Sequence, residues 1–178
     1  MSAVGCLLIG DTLRMNALRQ RLNNGGAATA VPAPGDNLYR AVQEGFLAAR
    51  RPGGACVAAE GEMWAAALSL AAQLSVDRVV LFTPSDNRKR TRDKTERQIE
   101  WMKAYARRNL SFCVCQVLIL EESASVRLER GWKMLTNARV HRCSLGDQRW
   151  INCEFSPTEA AARFLELGEL PFSLAKLL

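Results

Sequence analysis

The sequence predicts an α/β domain built in three layers, helices on both sides of a mostly parallel sheet. Three observations predict it. Short apolar runs of strand length alternate with helical periods from one end of the chain to the other. Two of those runs, DRVVLFT (77–83) and SFCVCQVLIL (111–120), are almost continuously apolar, as strands covered on both faces require. A length of 178 residues with 48% hydrophobic content suits one full core. With no internal repeat, low-complexity segment or interior linker, residues 1–178 read as a single domain.

The elements follow in order. Residues 4–9 make a short buried strand, and a helix runs over about 12–23 with Leu13, Leu18 and Leu22 on one side. Gly25-Gly26 stops it, and 27–31 form a second strand ahead of the turn PAPGD. Asp36 or Asn37 caps a helix whose apolar positions Leu38, Ala41, Val42, Gly45 and Phe46 fall at i, i+3, i+4 spacing. ARRPGG breaks the chain before a third strand at 55–59. The helix over 62–74 is nearly all alanine and leucine, so most of its sides must be covered. A fourth strand, 77–83, ends at Pro84; an amphipathic helix over about 92–108 and the strand 111–120 follow. A helix around 125–135, the strand NARVHRC (137–143) and a final helix complete the set. Ser156-Pro157-Thr158-Glu159 opens that last helix as cap, first-turn proline and capping box. ARVHRC and RWINCEF around SLGDQ also read as a β-hairpin with a Gly-Asp turn.

Composition narrows the function classes. No apolar segment approaches the roughly 20 residues that span a bilayer, and MSAVGCLLIGD has neither a basic leader nor a small-residue cleavage site. A cytoplasmic location is the expectation, and arginine outnumbering lysine nineteen to five, with abundant alanine, fits a GC-rich bacterial genome. Of six cysteines, Cys113 and Cys115 form only C-x-C, and His141 is the single histidine, so a structural zinc site has too few ligands. Buried, reduced thiols are expected instead. Net charge is +6, with one dense basic run at NRKRTRDKTER (87–97). It reads as a solvated loop leading into a charged helix; without aromatic interleaving it offers little to nucleic acid, although Arg88, Lys89 and Arg90 suit an anionic ligand or an acidic protein partner.

In such a sheet ligands bind outside the carboxyl ends of the strands, where strand order reverses. The positions to inspect are therefore Gly10-Asp11-Thr12, 32–36, 59–63, 84–87, 121–125 and 144–148. Among these, CVAAEGEMWAAALSLAAQL (56–74) is a strand, a sharp turn and a buried helix, the arrangement by which many hydrolases display a nucleophile. Its tip is Glu60-Gly61-Glu62.

Over nearly its whole length the order of pieces resembles the α/β-hydrolase superfamily with a minimal cap. CLLIG is similar to the early strand that usually ends in His-Gly, NNGGAATAVPAPGDN to the second strand and its turn, and VAAEGEMWAAALSLAAQLSVDRVVLFTP to the nucleophile strand, its helix and the next strand. VLILEESAS lies where the family keeps its acid, and ARVHRCSLGDQRW where it keeps its histidine. The resemblance implies the fold, but the triad is missing at every aligned place. The G-x-S-x-G elbow aligns with Ala59-Glu60-Gly61-Glu62-Met63, where glycine keeps a strained turn and discards the nucleophile. Glu60 and Glu62 put negative charge where an oxyanion should form. Glu121 or Glu122 loosely matches the acid, and Gly146-Asp147-Gln148-Arg149 stands where the histidine belongs. His141 comes too early in its strand to reach the elbow and reads as a packed strand residue.

Rival readings are thinner. Gly10-Asp11-Thr12-Leu13 resembles the Gly-Asp-Ser-Leu block of SGNH hydrolases, but the later Asp-x-x-His block is absent and Asp11-Thr12 reads as a helix cap. GDTLRMN lacks the glycines of a dinucleotide-binding turn. Glu60, Glu62, Glu121 and Glu122 could converge to share a proton or a divalent cation, although glutamates near helix starts are ordinary. The expectation is a catalytically degenerate hydrolase-like protein without metal or cofactor, serving as a binding or assembly module, with a homodimer as one form of assembly because its edge strands and alanine-rich faces offer pairing surfaces. The competing expectation is a small esterase with a relocated constellation, using Ser85 or Ser123 with His141 as base.

Overall fold

The structure, a computed structural model, describes residues 3–35, 37–83, 115–122 and 138–172, with the side chains at 38, 39, 62 and 72 outside that description. Its strands are β1 (Gly5–Ile9), β2 (Ala28–Ala30), β3 (Ala55–Glu60), β4 (Arg78–Thr83), β5 (Gln116–Glu121) and β6 (Arg139–Ser144). They form one sheet in the order β2-β1-β3-β4-β5-β6, with every neighbouring pair parallel. The described helices are α1 (Leu13–Asn24), α2 (Leu38–Ala49), α3 (Trp64–Gln73) and α4 (Pro157–Leu167).

Alternation along each strand sends successive side chains to opposite faces, and each face has its own helical cover. Met15, Leu18 and Leu22 of α1, with Ala161, Phe164 and Leu165 of α4, pack on Cys6, Leu8, Cys56, Ala58, Val80, Phe82, Leu118 and Leu120. Val42 and Phe46 of α2, with Ala67 and Leu68 of α3, pack on Leu7, Ile9, Val57, Ala59, Val79, Leu81, Val117 and Ile119. The sheet is therefore covered on both faces, which is why its central strands read as unbroken apolar runs.

Local signals account for the helix ends. Thr12 caps α1 by accepting from the Met15 amide at 3.3 Å, and Asn37 caps α2 by accepting from Arg40 at 3.0 Å. Ser156 caps α4 by accepting from the Glu159 amide at 3.2 Å. The expected capping box is only half made. The Glu159 carboxylate accepts instead from Arg21 of α1, at 2.6 and 3.0 Å, and ties the two helices of that face together.

Two sequence expectations are corrected. Leu13 is 89% exposed, and the buried stripe of α1 is Met15, Leu18 and Leu22. With the cap at Thr12, Leu13 lies about 200° around the helix from Met15, at about 100° per residue. The hairpin over 138–155 does not form: after β6 the chain enters a 3₁₀ turn, Gln148–Trp150, begun by Asp147 accepting from the Arg149 amide. The indole Nε1 of Trp150 donates to the Ser144 carbonyl at 2.9 Å and holds that segment against the strand end. Within the described residues the fifth strand runs over Gln116–Glu121 after a bend at Cys115, and its expected start at 111 lies outside them. The expected helices over 92–108 and 125–135 and the basic run 87–97 lie outside the described residues.

Cys6, Cys56, Cys115 and Cys143 are buried and Cys153 partly so, and none of these five is bridged. Cys113 is outside the described residues. The hydrogen bond of Cys6 to Cys56, its register partner, together with burial, pushes the Cys6 thiol far up, so it stays protonated. Among the described residues no helix is long and apolar enough to cross a membrane.

Candidate functional site

Strand order reverses between β1 and β3: the chain leaves β1 toward β2 on one side and leaves β3 toward β4 on the other. The helices that follow, α1 and α3, lie on opposite faces. The crevice outside the carboxyl ends of β1 and β3 is thus the place this topology reserves for a ligand. Gly10-Asp11-Thr12 and Glu60-Gly61-Glu62 meet there.

The turn out of β3 is sharp. Glu60 is still extended, Gly61 adopts φ +62°, and a 3₁₀ turn, Gly61–Met63, leads into α3 with no side-chain cap at either start. Among the described residues a Cβ on Gly61 would meet nothing within 4 Å. Backbone conformation and not space therefore selects glycine. Gly61→Ala is expected to lower stability by about 1–2 kcal/mol through the left-handed strain alone, read from urea unfolding; an unchanged midpoint would contradict it.

Glu60 does not face that turn. It follows Cys56 and Ala58 on the α1 side, where its carboxylate accepts the Thr12 hydroxyl hydrogen bond and lies 3.5 Å from Arg14 Nη1. Arg14 in turn sits over the Phe82 ring at 5.1 Å. The Gly-Asp-Thr phrase thus works as a helix cap anchored to the end of β3. Its partner Glu60 lies 48 residues further along the chain.

Glu121 has a different companion. It is the last residue of β5, 4% exposed, and Arg142 on β6 grips it: Nε and Nη2 donate to Oε1 at 3.1 and 2.9 Å, and Nη2 also to Oε2 at 3.1 Å. By alternation with Val117 and Ile119 it lies on the α3 face, opposite Glu60. The two carboxylates do not converge. Among the described residues no three His, Cys, Asp or Glu side chains could hold a metal ion. Glu122, the next residue, is exposed, and its amide extends the ladder to the Thr83 carbonyl at 3.2 Å. Of Glu62 only the backbone, within the 3₁₀ turn, is described.

His141 pairs in register with Leu118, three residues short of the end of β6, and shares the face of Cys143, the one opposite Gly61. Burial, reinforced by Arg139, lowers its pKa from 6.5. An imidazole lowered in the fold takes its proton later than the unfolded chain does as pH falls. Its contribution to stability is therefore complete above pH 6.5 and is lost on going below it. Because His141 is the only histidine, His141→Gln is expected to remove a small part of the stability difference between about pH 7.5 and about pH 5.5, measured as denaturant midpoints. An identical difference in both proteins would contradict it.

At the aligned histidine position, Asp147 and Arg149 pair with each other at 2.7 Å, and Arg149 stacks on Phe172 at 4.3 Å. The Arg149 contact holds the Asp147 carboxyl below its usual range. Ser85, Ser123, Arg88, Lys89 and Arg90 lie outside the described residues.

One polar group beside the turn was not singled out by the sequence reading. Thr83 ends β4 one residue beyond the Glu60–Phe82 register pair, on the α3 face with Val79 and Leu81, and is 2% exposed. Among the described residues its hydroxyl has no hydrogen-bond partner. Thr83→Val is expected to raise stability by about 1 kcal/mol, since it removes a buried unsatisfied group with little change of shape; a loss of stability in thermal unfolding would refute this. No protein-family model and no curated protein matches the chain.

Proposed function

We propose that the chain is a catalytically degenerate, α/β-hydrolase-like protein that acts as a binding or assembly module. The observation that carries this reading is Gly61. A left-handed residue sits where a strand turns into a buried helix, with open space around it and no side chain to attack. The surroundings support it. Glu60 is committed to Thr12 and Arg14 on the other face, Glu121 to Arg142, and Asp147 to Arg149. The Thr83 hydroxyl, unpartnered among the described residues, leaves hydrogen-bonding capacity on the α3 side, suited to a small polar ligand. Assembly would be homodimeric, through the outer strands β2 or β6.

A second reading, a small esterase with a relocated constellation, draws on one contact: the Thr12 hydroxyl donates to the Glu60 carboxylate at the switch point. A panel of simple acyl esters separates the two. The binding-module reading expects no turnover above that of the uncatalysed reaction. Turnover lost in Thr12→Val, or in His141→Gln, with the melting temperature kept would establish the esterase. Light scattering tests assembly, and a monomer across the micromolar range would remove the dimer from the proposal.

A further inference from the structure

At the opposite edge of the sheet, where β3, β4 and β5 begin, an open concavity of about 900 Å³ faces solvent. Arg50, Arg51, Arg78, Asp77 and Gln116 supply most of its polar lining. We propose that this amino-edge concavity binds an oxyanion ligand, a molecule carrying phosphate or clustered carboxylate groups, with Arg50 and Arg51 as its anchors.

The argument begins with the charges at this edge. The carboxyl-terminal ends of α2, α3 and α4 lie here, and helix ends of that polarity repel anions. Those of α2 and α4 are answered by arginine. Arg51 Nη1 donates to the carbonyls of Ala48, Ala49 and Arg50 at 3.0, 3.4 and 2.8 Å, closing the end of α2. Arg78 donates from Nε to Leu165 and from Nη2 to Glu166, at 3.0 and 3.3 Å, closing α4. Asp77, the one acidic group among the described residues of the lining, accepts at Oδ2 from the Ala55 amide at 2.7 Å.

Two cationic side chains of the described lining keep free donors. Arg50 makes no side-chain hydrogen bond or ion pair among the described residues, and Arg51 uses one of its three nitrogens, leaving Nε and Nη2. Arg50 and Arg51 both line this concave site, and a guanidinium offers the paired N–H geometry that phosphate and carboxylate oxygens take up. The volume lies within the range of small-molecule sites, about 300–1,000 Å³. This site is independent of the carboxyl-edge crevice and of the reading built on it.

The test is calorimetric titration of the full chain with pyrophosphate and, separately, with citrate, in a low-salt buffer free of both. Saturable binding of at least one probe is expected, weakening as sodium chloride is added. Arg50→Gln should weaken it about tenfold, the loss of a charge-assisted contact, with the melting temperature unchanged because Arg50 supports no other described group. A preference for pyrophosphate would identify the ligand as phosphate-bearing, and a preference for citrate as a polycarboxylate. The variant R88Q/K89Q/R90Q controls for the basic run and should bind as the wild type does. No saturable heat with either probe, unchanged affinity in Arg50→Gln, or loss of binding in the triple variant would each overturn the proposal.

Discussion

Replacing Arg142 by alanine is expected to cost about 3 kcal/mol of folding stability, at the lower end of what breaking a buried ion pair on one side costs. The lower end applies because the Arg142 side chain keeps 29% of its exposure while Glu121 keeps 5%. The variant leaves the Glu121 carboxylate, at the end of a central strand, without the three donor contacts that compensate its burial. Such a loss is a large part of the 5–15 kcal/mol typical of a whole domain. Replacing Glu121 and Arg142 together by leucine should recover most of it, since the cost lies in the unpaired charge and not in the absence of the pair. Equilibrium urea unfolding of the three proteins decides the matter. A single-variant loss under about 1 kcal/mol would mean that the pair behaves like an exposed one.

Gly5→Ala is expected to be as damaging, about 3 kcal/mol or loss of folding, because overpacking against rigid atoms costs about 1–3 kcal/mol and sometimes more. A Cβ on Gly5 would lie 1.9 Å from the Ala49 carbonyl oxygen, 2.7 Å from its carbon and 3.0 Å from Arg50 Cα. These are backbone atoms at the end of α2, so no rotamer change relieves them. Relief requires α2 to lift from β1, which opens the packing of Val42 and Phe46 on Leu7. A thermal melt within about two degrees of wild type, for a loss predicted at several kcal/mol, would show that α2 does not press on β1 so closely.

The fold was largely legible because its signals are local. Apolar runs marked β1, β3, β4 and β5, and short polar residues at Thr12, Asn37 and Ser156 marked the helix starts. Leu13 was misplaced because the phase of a helix face depends on where its cap falls, and shifting the stripe from Leu13 to Met15 turns it through more than half a circle. The hairpin failed for a tertiary reason. SLGDQ is a real turn signal, but Asp147 and the Trp150 indole close it as a compact 3₁₀ segment against β6.

The candidate site was legible only in part. Strand, turn and helix around Gly61 could be read directly, and so could the absence of a nucleophile there. The partners of the glutamates could not. Arg142 is 21 residues from Glu121, and Arg14 is 46 from Glu60; both contacts depend on strand order and on which face each residue takes. Parity along the strands separates Glu60 from Glu121, yet no local pattern says which helices cover which side. Thr83 and Arg50 are likewise ordinary in sequence. Their interest arises from burial without a partner among the described residues in one case, and from a shared concavity in the other.

The central claim, that the elbow holds no nucleophile and that none replaces it, is tested most directly by treating the purified, folded chain with a fluorophosphonate probe and weighing it intact by mass spectrometry. The account predicts an unmodified mass after prolonged exposure, with a known serine hydrolase labelled in the same vessel. A stoichiometric adduct that heat denaturation abolishes, mapped by peptide sequencing to Thr12, Ser85, Ser123 or any other hydroxyl, would contradict it.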